Sequence, residues 1–136
     1  MLALIDIDQF AAANDLLGHQ YGDAMLKAAA LRLRTLFPAN VFVARVAGDT
    51  FAVTGASLLV KADTIQRIFA QPFAIESVDH LVTVGIGLTP VASNGQGADT
   101  LENAYIALRR AKAAGSSQTV SFSKSIGEET RGRTQL

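Results

Sequence analysis

Apolar residues occur along this chain either in short runs or at helical spacing. The run LALID at 2–6 ends on an acid, as a buried strand does when it delivers carboxylates at its C-terminal end. Two more runs, VFVARV at 41–46 and FAVTG at 51–55, predict a hairpin across a four-residue turn that carries Asp49. The acid-bearing turns after the first strand and within the hairpin would lie side by side if these strands pair.

Four longer segments have the apolar spacing of amphipathic helices. They are expected at residues 8–17, 21–37, 58–70 and 99–115. Asp8 is expected to cap the first helix and Gly18 to end it. In the second helix Arg32 falls on the polar face, and in the fourth Asp99 and Glu102 form a capping pair. Each helix has one apolar face, so we expect the helices to pack over a sheet.

The remaining apolar runs complete the strands. FAIE at 73–76 and HLVTVGIGL at 80–88 predict a second hairpin that turns at Ser77 to Asp79, and TVSF at 119–122 predicts a last strand. The order is therefore strand, two helices, hairpin, helix, hairpin, helix, strand. Helices interleaved with mostly apolar strands predict an α+β fold, an α/β sandwich in which helices flank one central sheet.

Composition sets limits on the class of protein. The 136 residues fit one domain, and the charged share of 18% is below the usual ~25%, which indicates that a partner or a neighbouring domain covers some surface. Twelve acids balance twelve bases, which disfavours nucleic acid as a partner. The absence of cysteine excludes disulfides and fits a reducing compartment. No apolar run reaches about 18 residues and no leader is visible, so we expect a cytoplasmic domain that does not contact a membrane. A membrane anchor elsewhere in a longer parent protein is left open.

The two ends of the chain resemble those of an excised fragment. Met1 leads directly into an apolar strand, without a preceding cap or turn. The final segment, 124–136, is polar and has no apolar period, which is typical of a linker or tail. We expect residues 1–123 to form the domain and 124–136 to lead to a further domain of a longer protein. A flexible loop, SNGQG at 93–97, is expected before the last helix.

Three motifs carry the candidate chemistry. The first is DIDQFAAANDLLGHQYGD at 6–23, the second is RVAGDTF at 45–51 and the third is AKAAGS at 111–116. In this order they resemble the GGDEF domain family, the diguanylate cyclases, which join two GTP molecules into cyclic di-GMP. The resemblance spans about residues 2–123, and the family's usual opening segment is absent. It implies a nucleotidyl-cyclase-like fold with a mostly antiparallel sheet of about five strands and an extra β-hairpin.

The resemblance assigns seven residues to a site for GTP and Mg²⁺. They are Asp6, Asp49 and the Ile7 carbonyl for the metal, Asn14, Asp23 and Phe10 for the nucleotide, and Lys112 for its terminal phosphates. Mg²⁺ prefers hard oxygen ligands, one or two carboxylates together with phosphate oxygens and water, so this set suits it. An amide and a carboxylate suit guanine, whose Watson–Crick edge offers an acceptor beside two donors.

Several of the polar residues also have a purely structural interpretation. Asp23 suits the first turn of a helix, where the helix dipole favours an acid, and Lys112 suits a solvated helix end. His19 is expected to cap or pack against the first helix rather than to act as a base or bind metal. Arg45 is expected to pair with an acid and to position the hairpin.

The chain departs from the family pattern where the family does its chemistry. Thr50 replaces the fourth residue of the signature, an acid held responsible for activating the attacking 3′-hydroxyl or helping to bind a second metal. A threonine cannot accept a proton at neutral pH, so the loss of the acid removes transition-state stabilisation. The other departures are Ala47 for a glycine, Ala11 for a lysine, Ser116 for an arginine, Tyr105 and Arg109 for an aspartate and a tyrosine, and Pro38 and Val41 for the product-inhibition motif. No catalytic residue is therefore expected to be intact.

Three functions fit these residues. The first is a regulatory module that binds GTP and Mg²⁺ weakly, without cyclase activity, for a neighbouring EAL-type domain. The second is a structural module for docking or dimerisation, which needs none of the site residues. The third is a residual cyclase that works without an acid at Thr50. We expect the first; a homodimer is left open, because a cyclase pairs around two nucleotides that bind poorly here.

Overall fold

A computed structural model describes residues 1–91 and 97–123 of the chain. Along these residues the elements are β1 Leu2–Ile7, α1 Phe10–Leu17, α2 His19–Leu36, β2 Phe42–Ala47, β3 Thr50–Thr54, α3 Ala62–Ala70, β4 Phe73–Ile75, β5 Val78–His80, β6 Val84–Thr89, α4 Gly97–Ala114 and β7 Thr119–Ser121. The linker expected at 124–136, and the loop expected at 93–97 apart from Gly97, lie outside the described residues.

β1 lies at the centre of a five-stranded sheet with the strand order β2-β3-β1-β6-β7. It is antiparallel to β3 on one side and to β6 on the other, whereas β6 and β7 are parallel. β4 and β5 form a separate two-stranded hairpin. The expected fold, an α/β sandwich with a mostly antiparallel central sheet and an extra hairpin, is therefore confirmed.

The two faces of the sheet are covered by different helices, because successive side chains of β1 point to opposite faces. Leu4 packs with Leu108 of α4 in one buried cluster. Ile5 belongs to a larger cluster that contains Met25 of α2 and Ile65 of α3. The even-numbered positions of β1 therefore face α4. None of the helices in the described part of the chain is both long and apolar enough to cross a membrane.

The second hairpin differs from the prediction. β4 pairs only with Val78–His80, across a turn at Glu76 and Ser77 whose φ angles of 52° and 67° are both positive. The following strand, Val84–Thr89, pairs instead with β1 in the central sheet, and all six of its residues are buried. The prediction of one long strand at 80–88 opposite FAIE is therefore wrong. A strand buried on both faces belongs inside a sheet rather than in an exposed hairpin.

The predicted helix starts also differ from the structure, and α2 begins at His19 rather than Tyr21. α3 begins at Ala62 rather than Leu58, because the Ala56 carbonyl accepts the amides of Leu59 and Val60 in a turn that buries Val60 before the helix begins. α4 begins at Gly97, so Asp99 lies within its first turn and does not cap it with Glu102. The predicted end of α1 is confirmed, since Gly18 has a φ of 96° and its amide donates to the Asn14 carbonyl.

Arg32 lies against neighbouring elements instead of on a solvated face. Its guanidinium donates to the carbonyls of Ile68, Gln71 and Pro72 at 3.1, 2.6 and 2.6 Å. It also lies 3.5 Å from the ring centroid of Phe73, a cation–π arrangement. Arg32 therefore ties α2 to the end of α3 and to β4, and its predicted place on the polar face is wrong.

Candidate nucleotide and metal site

The acid-bearing turns after β1 and between β2 and β3 lie side by side. Asp6 is directly opposite Thr50 on β3 and directly opposite Gly85 on β6. Asp49 immediately precedes Thr50 in a turn that consists of Gly48 and Asp49 alone, because Thr50 is already the first residue of β3. The pairing expected between the first strand and the first hairpin is thus present, with a two-residue turn in place of the predicted four.

Thr50 is a hydrogen-bond donor to the carboxylate across the strand pair. Its side chain is buried, with 6% exposure, and Oγ1 donates to Asp6 Oδ1 at 2.6 Å. Directly opposed residues on antiparallel strands have Cβ atoms about 4.5–5.5 Å apart, so any side chain at this position faces Asp6. The hydroxyl satisfies one carboxylate oxygen without adding charge.

The Asp6 carboxyl is placed where ionisation is costly. Burial raises its pKa above the ordinary value, and the negative charges of Asp49 and Asp8 raise it further. The hydrogen bond from Thr50 and the positive charge of Lys112 lower the pKa, but they do not reverse the shift. Four charged groups therefore interact at the C-terminal end of β1, three of them negative.

A cleft of about 330 Å³ lies between α1, the start of α2 and the β2–β3 turn. Of the seven residues assigned from the sequence, Phe10, Asn14, Asp23 and Asp49 line it. The other three are elsewhere: Asp6 lies beside Asp49 at the end of β1, the Ile7 side chain is buried in the core, and Lys112 extends from α4. Four of the seven residues thus share one cleft next to the β2–β3 turn, and Lys112 lies on the α4 face of the sheet.

Asn14 is held in place by its contacts. Its amide packs directly on Gly22 of α2, so that a Cβ at position 22 would overlap the Asn14 side chain. Asn14 Nδ2 lies 3.3 Å from Nδ1 of His19, the first residue of α2. His19 thus packs against α1, in agreement with its structural interpretation.

Arg45 positions the β2–β3 turn. Its Nε donates to the Gly48 carbonyl at 2.5 Å, which fixes the backbone next to Asp49. The side chain also lines the cleft, where acids at 15, 23 and 49 outnumber it. Positioning of the hairpin is therefore confirmed, and the partner the structure shows for Arg45 is a carbonyl rather than an acid.

Asp8 was assigned to a helix cap, and this prediction is wrong. The residue before α1 is Gln9, in the left-handed region, and it makes no capping hydrogen bond through its side chain. The Asp8 carboxylate instead accepts from Thr83 Oγ1 at 2.6 Å and from the Ser117 amide at 2.7 Å, and it lies 3.5 Å from Lys112 Nζ. Continuing the alternation of β1 one residue past Ile7 puts position 8 on the same face as position 6, and this is the sequence signal for the placement.

The residues at the end of β1 suit a metal ion that takes some of its ligands from the protein and the others from a substrate. Two neighbouring carboxylates and the Ile7 carbonyl are hard oxygen donors, and Mg²⁺ accepts such a partial set when phosphate and water complete its shell. A cation there would also offset the Asp6 charge that burial makes costly. Within the described residues, no group of three or more His, Asp or Glu side chains could by itself hold a metal ion.

Comparison with known proteins identifies the family. The family model for the diguanylate cyclase GGDEF domain matches residues 1–118, and the chain belongs to this family. The signaling protein YkoW of Bacillus subtilis is 33% identical over 134 residues, which are 92% of this chain and 17% of YkoW. The diguanylate cyclase DgcP of Pseudomonas aeruginosa is 36% identical over 121 residues, which are 85% of this chain and 18% of DgcP. The chain thus corresponds to a small part of each of these curated relatives.

Solved structures give the same fold. An X-ray structure of an EAL/GGDEF domain protein from M. capsulatus superposes with a TM-score of 0.79 at 34% identity, over 90% of this chain and 83% of the other. The five-stranded sheet and its flanking helices are therefore those of a GGDEF domain.

The raised pKa of Asp6 predicts a pH-dependent effect of Asp6→Asn on stability in the absence of Mg²⁺. Because the folded-state pKa of Asp6 is raised, its protonated carboxyl stabilises the fold. This stabilisation is complete below the ordinary pKa of 3.8 and is lost as the pH rises through the folded-state pKa. The amide keeps an oxygen that accepts the Thr50 hydroxyl but carries no charge. At pH 7 the variant should be more stable than the wild-type protein in urea unfolding, and this gain should shrink toward pH 4.

Asp79→Asn, at an exposed acid of β5, is the matched control and should change stability by less than about 0.5 kcal/mol at either pH. An Asp6→Asn variant that is less stable than the wild-type protein at pH 7 would contradict the argument from burial.

Proposed function

We propose that this chain is a GGDEF domain that binds GTP with Mg²⁺, does not convert it, and regulates a neighbouring EAL-type domain. One observation carries the proposal. Asn14 and Asp23 line one cleft together with Asp49, and the next residue, Thr50, holds a hydroxyl that is hydrogen-bonded to Asp6 at the end of β1. Recognition groups are thus retained without the acid that the family uses for catalysis.

The cleft supports the choice of guanine. Asn14 and Asp23 come from different helices and line the same space, so an amide and a carboxylate can meet one base edge. Guanine offers an acceptor next to two donors, and adenine does not offer that pattern. The contact between Asn14 and Gly22 supports a fixed position for the amide before any ligand arrives.

The charges support a requirement for Mg²⁺. Acids outnumber basic side chains in the cleft and at the end of β1, so a bare polyphosphate would be repelled. Asp6, Asp49 and the Ile7 carbonyl are the residues proposed to hold the ion, which would neutralise the phosphates when bound. Lys112 is the cation proposed to meet the terminal phosphates.

The same region supports the loss of turnover. The Thr50 hydroxyl is engaged as a donor and cannot take the proton of an attacking 3′-hydroxyl at neutral pH. The family's cations at positions 11 and 116 are an alanine and a serine here. Each missing charge-assisted contact is worth about 1.5–3 kcal/mol, and two of them weaken GTP binding by roughly two to four powers of ten.

A neighbouring EAL-type domain is proposed from the relatives. The curated relatives extend far beyond the region that this chain matches, and the M. capsulatus structure is described as that of an EAL/GGDEF domain protein. A domain that binds GTP without turnover can change the state of such a neighbour, because GTP shifts the domain toward the conformation that binds it.

Docking or dimerisation is the second candidate, and one surface favours it. A groove of about 410 Å³ between α2 and β4 is lined by exposed Leu31 and Leu36 together with Arg32 and Phe73. Such a surface needs no nucleotide. A residual cyclase is the third candidate; it retains Asp49 but would have to work without an acid at Thr50.

Calorimetry with GTP and ATP tests the proposed recognition. We expect weak GTP binding that requires Mg²⁺ and is tighter than ATP binding, with the preference for GTP lost in Asp23→Ala. Asp15→Ala is the matched control, since it removes the same charge from the same cleft and should keep the preference. Equal, metal-independent affinity for both nucleotides, or no binding at millimolar concentration, would leave only the docking module.

A product assay tests the loss of turnover. The purified chain with GTP and Mg²⁺ should make no cyclic di-GMP above background in a chromatographic assay. Thr50→Glu should not restore full activity, because Ala11, Ala47 and Ser116 remain. Product that disappears in Asp49→Ala would show instead that the chain is an active cyclase.

A further inference from the structure

We propose that Asp8 and Gly85 are positioning residues that fix the ammonium group of Lys112 beside Asp6. Asp8 holds the charged end of Lys112, and Gly85 leaves the space that its aliphatic stem occupies. This inference rests on the proposed function for its consequence, the contact of Lys112 with phosphate. The placement of Lys112 itself is a property of the protein without ligand and can be measured separately.

Asp8 is a rigid anchor because its carboxylate is bound from three directions. Thr83 Oγ1 donates to Oδ2 at 2.6 Å, and the Ser117 amide donates to the same oxygen at 2.7 Å. Lys112 Nζ lies 3.5 Å from Oδ1. The Asp8 amide also donates to the Thr83 carbonyl at 2.9 Å. The Asp8 side chain is only 8% exposed, so it has little freedom to move with Lys112.

Gly85 sets the path of the Lys112 stem. A Cβ at position 85 would lie 3.0 Å from Lys112 Cδ and 3.7 Å from Lys112 Cγ, closer than ordinary packing allows in the first case. The same Cβ would lie 3.6 Å from Asp8 Oδ1. Because Gly85 is directly opposite Asp6 on β6, the stem crosses β6 next to Asp6. The influence of Lys112 on the pKa of Asp6 agrees with this position.

The arrangement prepares Lys112 for a ligand. An ammonium group has three donors, and the contact with Asp8 can occupy one of them while the others remain for phosphate oxygens. A lysine loses considerable side-chain entropy when it is immobilised. Because Asp8 and Gly85 order Lys112 in the ligand-free protein, this loss does not have to accompany nucleotide binding. A lysine that is free at the end of α4 would meet the phosphates more weakly.

Lysine labelling tests the placement without nucleotide. With a limiting amine-reactive ester and mass spectrometry, Lys112 should react at least about threefold more slowly than Lys27 and Lys61, because its ammonium group is paired with the nearly buried carboxylate of Asp8. In Asp8→Asn, which keeps an acceptor for Thr83 and Ser117, the rate at Lys112 should approach that of the other two. Equal rates in the wild-type protein, or no change in Asp8→Asn, would overturn the proposal.

A double-mutant cycle tests the consequence for binding. Gly85→Ala displaces the stem of Lys112 without changing the charge of the protein. It should lower the affinity for GTP with Mg²⁺ about threefold to tenfold and leave the affinity for guanosine, which has no phosphates, unchanged. In a Lys112→Met background, Gly85→Ala should have no further effect on GTP. Gly97→Ala, where a Cβ meets open space on α4, is the control and should match the wild-type protein.

The outcomes separate the two proposals. If the wild-type chain binds no GTP, the proposed function fails, and the labelling experiment alone decides whether Asp8 and Gly85 place Lys112. If GTP binds but Gly85→Ala weakens it equally with Lys112 or methionine present, Gly85 acts on the fold and its positioning role is contradicted.

Discussion

The backbone of β1 pairs with β3 on one side and with β6 on the other, so that Asp6 stands opposite Thr50 and Gly85 at once. This double pairing fixes the hydroxyl that bonds the carboxylate and places Gly85, against which the Lys112 stem lies, on the other side of Asp6. A slip of one residue would turn Asp6 to the other face, because side chains alternate along a strand. The register of the central strand therefore determines which side chains meet at the C-terminal end of β1.

The site contains several negatively charged side chains, and the uncharged residue at position 50 avoids a further one. A carboxylate at this position would face Asp6 across the strand pair, where like charges are destabilising unless a cation lies between them. Thr50 instead donates a hydrogen bond to Asp6 and adds no charge. Under the proposed function, a threonine in place of the family's acid would therefore favour both the loss of turnover and the metal-free protein, as stability commonly trades against activity at such sites.

Local patterns predicted most of the fold, and contacts distant in sequence account for the errors. The first hairpin and α2 follow from periodicity alone, and the motifs at 6–23 and 45–51 were enough to find the cleft. Asp8 was misassigned because its partners Thr83 and Ser117 lie 75 and 109 positions away along the chain. Arg32 was misassigned for the same reason, since its acceptors belong to the end of α3 and the start of β4.

Under the proposed function, guanine recognition and metal binding meet at one end of β1 in a site without a catalytic acid. Backbone amide NMR during titration with GTP tests it most directly, because each amide reports its own position. With Mg²⁺, we expect shifts at the amides of Asn14, Gly22, Asp23 and Asp49, and much smaller shifts without the metal. Shifts confined to the groove at Leu31, or identical shifts with and without Mg²⁺, would contradict it.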